Sequence, residues 1–203
     1  MRLLSATILL FAAGLAKAAL VDNGTYTTDT GSGLDWLDLD QTDGLSPIDA
    51  LAANSGWRYA TFTEIDTLYS TAFPSAPDDI PYDEFGVYDN DPGTYQNAVD
   101  FVSLFGVTDV RGSLLVSSGI YYDDSGEVLA MSIQPQAPQN NYYYLYKHVR
   151  DYITIDYTED PTFSDYRRGS YLVRTSVVPL PAAVWFFGSA LIGLGWFRRE
   201  QDA

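Results

Sequence analysis

The chain has no cysteine, which excludes disulfides, thiol catalysis, zinc–thiolate centres and iron–sulfur clusters together. Histidine is nearly absent. The single one, His148, stands in Tyr146-Lys147-His148-Val149-Arg150, flanked by cations and far from any nucleophile motif, so it reads as a strand residue. No Gly-x-Ser-x-Gly elbow, no His-Glu-x-x-His and no Walker loop occurs. Aspartate is plentiful enough for a two-carboxylate glycan hydrolase, but no pair of carboxylates stands out, and the reading is non-enzymatic. Basic residues are scarce where a folded domain would lie. Residues 19–177 carry 25 acidic and 7 basic side chains, a formal net charge of −18. Such a surface repels nucleic acid and anionic lipid headgroups, so neither is an expected partner, whereas a solvated extracellular matrix with loosely held divalent cations suits it.

What is present is apolar and aromatic. Of the 203 residues, 46% are hydrophobic and 15% aromatic, including 16 Tyr, enough for the core of one domain of moderate size. Residues 1–18 have the order of a secretory signal peptide: Arg2 as a minimal positive end, an apolar stretch over 3–15, and Ala16-Lys17-Ala18 as a small-x-small site with cleavage expected before Ala19. The other end is also an apolar segment. Residues 182–197 form an uncharged run of 16, roughly 24 Å long as a helix at about 1.5 Å per residue, somewhat short of a hydrocarbon core of about 30 Å. Trp185 and Trp196 sit near its ends, and Arg198 and Arg199 follow as a stop-transfer pair that keeps the C-terminus cytoplasmic. Before it, Val178, Pro179, Leu180, Pro181 and Ala182 form a stretch that the two prolines hold extended and accessible.

The ordered set Val178-Pro179-Leu180-Pro181-Ala182, apolar helix and Arg198-Arg199 closely resembles the VPLPA-type variant of PEP-CTERM sorting signals. That resemblance covers about a tenth of the chain. It implies an exosortase-type transpeptidase as partner, in Gram-negative bacteria that make exopolysaccharide. The implied route is export, transient anchoring in the inner membrane, then transfer to the cell surface or matrix. An ordinary single-pass anchor that is never cut is the alternative.

Between the ends, the sequence predicts an α+β domain over 19–177. Asn23-Gly24 within the β-branched stretch 21–30 is a hairpin signal, and Leu34, Trp36 and Leu37 mark a buried strand. Ser46-Pro47 opens a short helix to about Ala53 as N-cap and first helical residue. Thr61 and Glu64 have capping-box spacing for a second helix with Ile65, Leu68 and Tyr69 on its buried face, ended by the proline-rich stretch 74–81. Residues 74–100 read as a long loop, with a short helix over 95–104. Strands are expected over 114–122 and 127–133, joined by Asp123-Asp124-Ser125-Gly126, and again over 142–146 and 171–175.

Gly33-Leu34-Asp35-Trp36-Leu37, Gly56-Trp57-Arg58, Glu64 and the closing Ser170-Tyr171-Leu172-Val173-Arg174 resemble exported modules of the DUF1566 or Lcl C-terminal type, themselves related to C-type-lectin-like folds. Tyr59-Ala60 stands where those modules usually have Leu-Pro, and their cysteines are missing. The implied fold is a small mixed, mostly antiparallel sheet with one or two short helices. Trp57 and Arg58 are expected to be structural, the arginine pairing a nearby carboxylate.

Two ligand sites remain as expectations. On a strand, Tyr142, Tyr144 and Tyr146 share one face, either as a carbohydrate platform or as aromatic rows half buried in a sheet. Asp89, Asp91 and Asp100 echo the first, third and twelfth positions of a calcium loop, but Thr94 occupies the position where such a loop needs glycine. No other cofactor is expected. The function that follows is an exported surface or matrix protein, structural or adhesive in a biofilm or exopolysaccharide setting. A lectin-like carbohydrate-binding module is the alternative.

Overall fold

The computed structural model describes residues 19–76, 87–89, 91–135, 143–149, 162 and 167–177, with the backbone alone at 87–89, 148 and 149. The signal-like segment, the sorting motif Val178 to Ala182, the apolar run 182–197 and Arg198-Arg199 lie outside the described residues. Among the described residues no helix is long and apolar enough to cross a membrane.

Strands β1 (Leu20–Asp22) and β2 (Tyr26–Asp29) form the expected hairpin, with Gly24 at φ +90° and its amide donating to Asp22 Oδ1 at 2.6 Å. Strand β3 (Leu34–Leu37) continues the meander. Helix α1 (Pro47–Ala53) starts where Ser46 Oγ accepts from the Asp49 amide. After β4 (Arg58–Tyr59), helix α2 (Phe62–Ala72) opens with a complete capping box: Thr61 Oγ1 accepts from Glu64 N, and Glu64 Oε2 accepts from Thr61 N. Its Ile65, Leu68 and Tyr69 are buried, as their spacing predicts.

The stretch expected as a long loop with a short helix over 95–104 is more ordered than that. It holds a strand, β5 (Val87–Asp89), and the expected helix is longer, α3 (Pro92–Phe105). Asp91 caps that helix by accepting from the Thr94 amide at 2.7 Å, and Pro92 occupies its first turn. The Asp-Pro pair is the same physical signal as Ser46-Pro47, hidden in a stretch whose composition resembles loop.

The second half is β-rich: β6 (Asp109–Arg111), β7 (Leu114–Tyr122), β8 (Val128–Pro135), β9 (Tyr143–Val149), β10 (Gly169–Ser170) and β11 (Leu172–Thr175). The β7–β8 turn closes on Asp123, whose carboxylate accepts from the amides of Ser125 and Glu127, while Gly126 takes φ +85°.

Among the described residues the fold is α+β with two sheets and three α-helices, against one sheet and one or two helices expected for the domain. One sheet runs β1-β2-β3-β11-β4, all antiparallel. The other runs β10-β7-β8-β9-β5, with β6 also on β7 and the β10–β7 contact parallel. The chain passes from one sheet to the other at Tyr171. Its amide donates to Ile120 O in the second sheet, and its carbonyl accepts from Ala60 N beside the first, each at 2.8 Å.

The main core lies between the sheets, filled by α2 and α3. Trp36, Val173 and Tyr171 meet Leu68, Phe73, Phe101, Phe105, Leu129, Met131 and Leu145 there. Aromatic contacts run through it, from Tyr69–Phe73 at 5.2 Å to Phe73–Phe101 at 5.7 Å and the stacked Phe101–Phe105 at 4.2 Å. Such pairs add about 0.5–1.5 kcal/mol each beyond area burial, so a cysteine-free domain gains cross-linking by packing. On the far side of the first sheet, α1 covers Leu37 and Leu172 through Ala50.

Candidate functional site

Strand alternation decides which side chains of the second sheet face away from the helices. Tyr121, Leu129, Met131, Ile133, Tyr143 and Leu145 point into the main core. The residues between them point outward. The register pairs Ser118 with Ser132 and Ser132 with Tyr146, a cross-strand row of three hydroxyls, and pairs Gln134 with Tyr144 beside it. Within the row, Gln134 Nε2 donates to Ser132 Oγ at 3.1 Å.

Tyr144 and Tyr146 are half-buried, with ring planes 12° apart and centroids separated by 6.0 Å, close to the spacing of alternate residues on one strand. Of the three-ring stripe expected from sequence, these two are placed on a common outer face; Tyr142 lies outside the described residues.

A cavity of about 150 Å³ sits over this row. Among the described residues its lining is Ser118, Ser132, Gln134 and Tyr146, with Arg111, Arg167 and Arg168, and Val116 and Ala130. Arg111 ends β6, which pairs with the start of β7, and Arg167 and Arg168 immediately precede β10, which pairs with β7 at Gly119 and Ile120. Two short strands on one edge of β7 therefore deliver three guanidinium groups to one place. Asp109 Oδ2 accepts from Arg111 Nε at 2.6 Å; the terminal nitrogens of Arg111 take no hydrogen bond among the described residues. Sequence reasoning missed these arginines because they are 56 residues apart in the chain and converge only through strand pairing.

The outer face of the first sheet is built differently. Arg174 lies over the rings of both Trp57 (4.4 Å) and Tyr26 (4.8 Å), and its Nε donates to Asp35 Oδ2 at 3.0 Å. Burial raises the Asp35 carboxyl, but hydrogen bonds from Thr28, Ser176 and Arg174 outweigh it and hold the group below its ordinary range. Arg58 forms a two-point pair with Glu64, at 2.8 Å through Nη1. That bond first, then the Thr61 amide and hydroxyl, overcome desolvation and lower the Glu64 pKa. Trp57 and Arg58 thus have the structural contacts expected of them, with Glu64 as the arginine's partner and the Trp57 ring lying on Arg174.

The calcium expectation does not assemble. Asp91 is a helix cap and Asp100 lies nine residues further along α3, accepting from Gln96 Nε2 at 2.7 Å. Nine residues of helix separate them by about 13 Å, too far to share one ion. The Asp89 side chain and that of His148 are outside what is described, and among the described residues no group of three His, Asp or Glu converges for a metal.

A wider cleft of about 850 Å³ opens between α2 and α3 beside Ala19, over Phe101 and Leu104. Its carboxylates are engaged in the fold: Asp66 with Lys147 at 2.8 Å, and Asp100 with Gln96. The smaller cavity over β7–β9 is the site with convergent donors. No protein-family model matches the chain, and neither a curated protein nor a solved structure matches it significantly.

Proposed function

We propose that this chain is an exported, non-enzymatic surface protein whose 19–177 domain holds polysaccharide of the extracellular matrix. Its tail, residues 178–203, is read and cut by an exosortase-type transpeptidase at the inner membrane. The observation that carries the carbohydrate reading is the Tyr144–Tyr146 pair beside Ser118, Ser132 and Gln134. Aromatic rings cover the apolar faces of a sugar, and a row of hydroxyl and amide groups exchanges hydrogen bonds with its hydroxyls. The lectin-like reading of the fold draws support from β11, which returns from the C-terminal side of the domain to lie between β3 and β4.

Two measurements test the proposal. The full chain, kept in solution by a mild detergent, is tested against a panel of neutral and acidic polysaccharides. Binding that falls several-fold in Tyr144→Ala and Tyr146→Ala is expected, and absence of binding to every polymer leaves a purely structural role. The intact mass of the mature protein tests the tail: loss of 184–203 is expected, and their retention overturns processing.

A further inference from the structure

Among the described residues, helix α1 covers only part of the first sheet's outer face, over Leu37 and Leu172. Beside that part, strand register lines up Thr28, Asp35 and Arg174 in a polar row, and the arginine side chain is 39% exposed. Trp57 joins the end of the row, because the Val173–Arg58 pairing sets it next to Arg174. Tyr26 and Trp57 meet edge-on at 6.3 Å, and the Arg174 guanidinium lies over both rings.

This cluster gathers donors that the fold does not use. The Tyr26 hydroxyl, Trp57 Nε1 and the two terminal nitrogens of Arg174 take no hydrogen bond among the described residues. Unlike Trp36 Nε1 and the Tyr171 hydroxyl, which are sealed in the core, these groups are not buried there. Their positions are fixed from beneath. Asp35, only 5% exposed, accepts from Arg174 Nε, and the Thr28 hydroxyl donates to its other oxygen at 2.7 Å. A guanidinium held by Nε and by its faces keeps its terminal N–H groups for acceptors at its edge.

Charge selects the ligand. The Asp35 carboxylate, with its lowered pKa, is ionised near neutral pH and offsets the arginine, while residues 19–177 carry a net −18. An anion therefore meets long-range repulsion with no local excess of positive charge to offset it. A neutral sugar suits the cluster better: its oxygens accept from the terminal N–H groups and the indole N–H, and its flat C–H faces lie on aromatic rings.

We propose that Tyr26, Trp57 and Arg174 form a second saccharide site, which takes a neutral sugar unit with equatorial hydroxyls. Its ligand class rests on the carbohydrate reading above; its position does not, since Tyr144 and Tyr146 stand on the other sheet. The core lies between the sheets, so the two outer faces look away from each other and one molecule links two polymer segments.

The test titrates the full chain, in mild detergent, with a hexasaccharide of β-1,4-linked glucose and with one in which glucuronic acid alternates with glucose. Two neutral hexasaccharides per chain are expected, and one in the double variant Tyr144→Ala/Tyr146→Ala. In that background the Trp57 indole N–H resonance is expected to shift on binding. Arg174→Lys should weaken the remaining site about tenfold, and Trp57→Phe or Tyr26→Phe several-fold. The phenylalanine changes keep a ring on Arg174 and are expected to melt with the parent, so they carry the test should Arg174→Lys fail to fold.

Loss of all binding in the tyrosine double variant overturns the second site and leaves the carbohydrate reading intact. Unchanged affinity in Trp57→Phe and Tyr26→Phe, with a stationary Trp57 resonance, assigns these residues to packing and also overturns it. No binding by the unaltered chain overturns the site, and the polysaccharide panel above then decides the wider reading separately. An acidic hexasaccharide that binds about tenfold more tightly, with the same Arg174 dependence, overturns the neutral-sugar assignment.

Discussion

Asp38 is a carboxyl whose proton the fold holds well above the ordinary carboxylate range, so that its ionisation on the way to neutral pH costs stability. It is buried, at 5% exposure, in the connection between β3 and the 3-10 turn Leu39–Gln41. Burial is the main reason its pKa is pushed up to about 6, helped by repulsion from Asp40 and Asp22 and opposed by the hydrogen bond from Thr27 Oγ1 at 3.2 Å. In the unfolded chain the value returns to about 3.8. The native state therefore binds the proton more tightly than the unfolded state. Stability from this group is fully present below about pH 3.8 and is lost as pH rises through about 6. A gap of about two units at about 1.36 kcal/mol each amounts to roughly 3 kcal/mol at full ionisation.

Asp38→Asn keeps the shape and a carbonyl oxygen that accepts from Thr27, and removes the ionisation. Urea unfolding of both proteins at pH 4, 5, 6 and 7 reads the effect. The two coincide near pH 4, and the variant gains with pH until it leads by roughly 2–3 kcal/mol at pH 7, or about 4–12 °C in melting temperature. A difference independent of pH, or a less stable variant at pH 7, refutes the burial argument.

Other positions give simpler outcomes. Gly169 and Gly119 are in register across β10 and β7, and both lie under Leu39. A Cβ on Gly169 would overlap the Leu39 carbonyl, backbone against backbone, so Gly169→Ala is expected to cost about 3 kcal/mol or more in urea unfolding; a loss below about 1 kcal/mol contradicts that packing. The Tyr171 hydroxyl is fully buried and takes no hydrogen bond among the described residues, so Tyr171→Phe should be neutral or raise stability by about 1 kcal/mol, measured as a melting shift. Thr61→Ala breaks the capping box and should lose about 1 kcal/mol, with amide exchange quickening first in the opening turn of α2. Glu64 and Asp35 both have lowered pKa values, so stability they contribute near neutrality should fade as pH drops below about 4, and Glu64→Gln should blunt part of that loss.

Local chemistry was legible in this sequence wherever a few neighbouring residues suffice. Asn23-Gly24 gave the first hairpin, Ser46-Pro47 and Thr61/Glu64 gave two helix starts, and Asp123 to Gly126 gave the β7–β8 turn, because caps and turns are satisfied within four or five residues. Asp91-Pro92 carried the same information, but a proline- and aspartate-rich composition pointed to loop and masked it. Period-two alternation put Tyr144 and Tyr146 on one face without saying that the face is the outer one. The very short strands β4, β5, β6 and β10 escaped notice, since two or three residues have no periodicity and exist only because a longer neighbour pairs with them.

The sequence by itself determined the acidic and cysteine-free character, the α+β class and most caps and turns, and it alone underlies the proposed role of the two ends. These depend on composition and on contacts a few residues long. Only the tertiary structure decided that the chain crosses between two sheets at Tyr171, that Asp38 is buried beside Thr27, and that Arg111 meets Arg167 and Arg168 over a row of hydroxyls. Each of those requires strands far apart in the chain to pair in a particular register, and register is set by the whole core that the sheets and helices share.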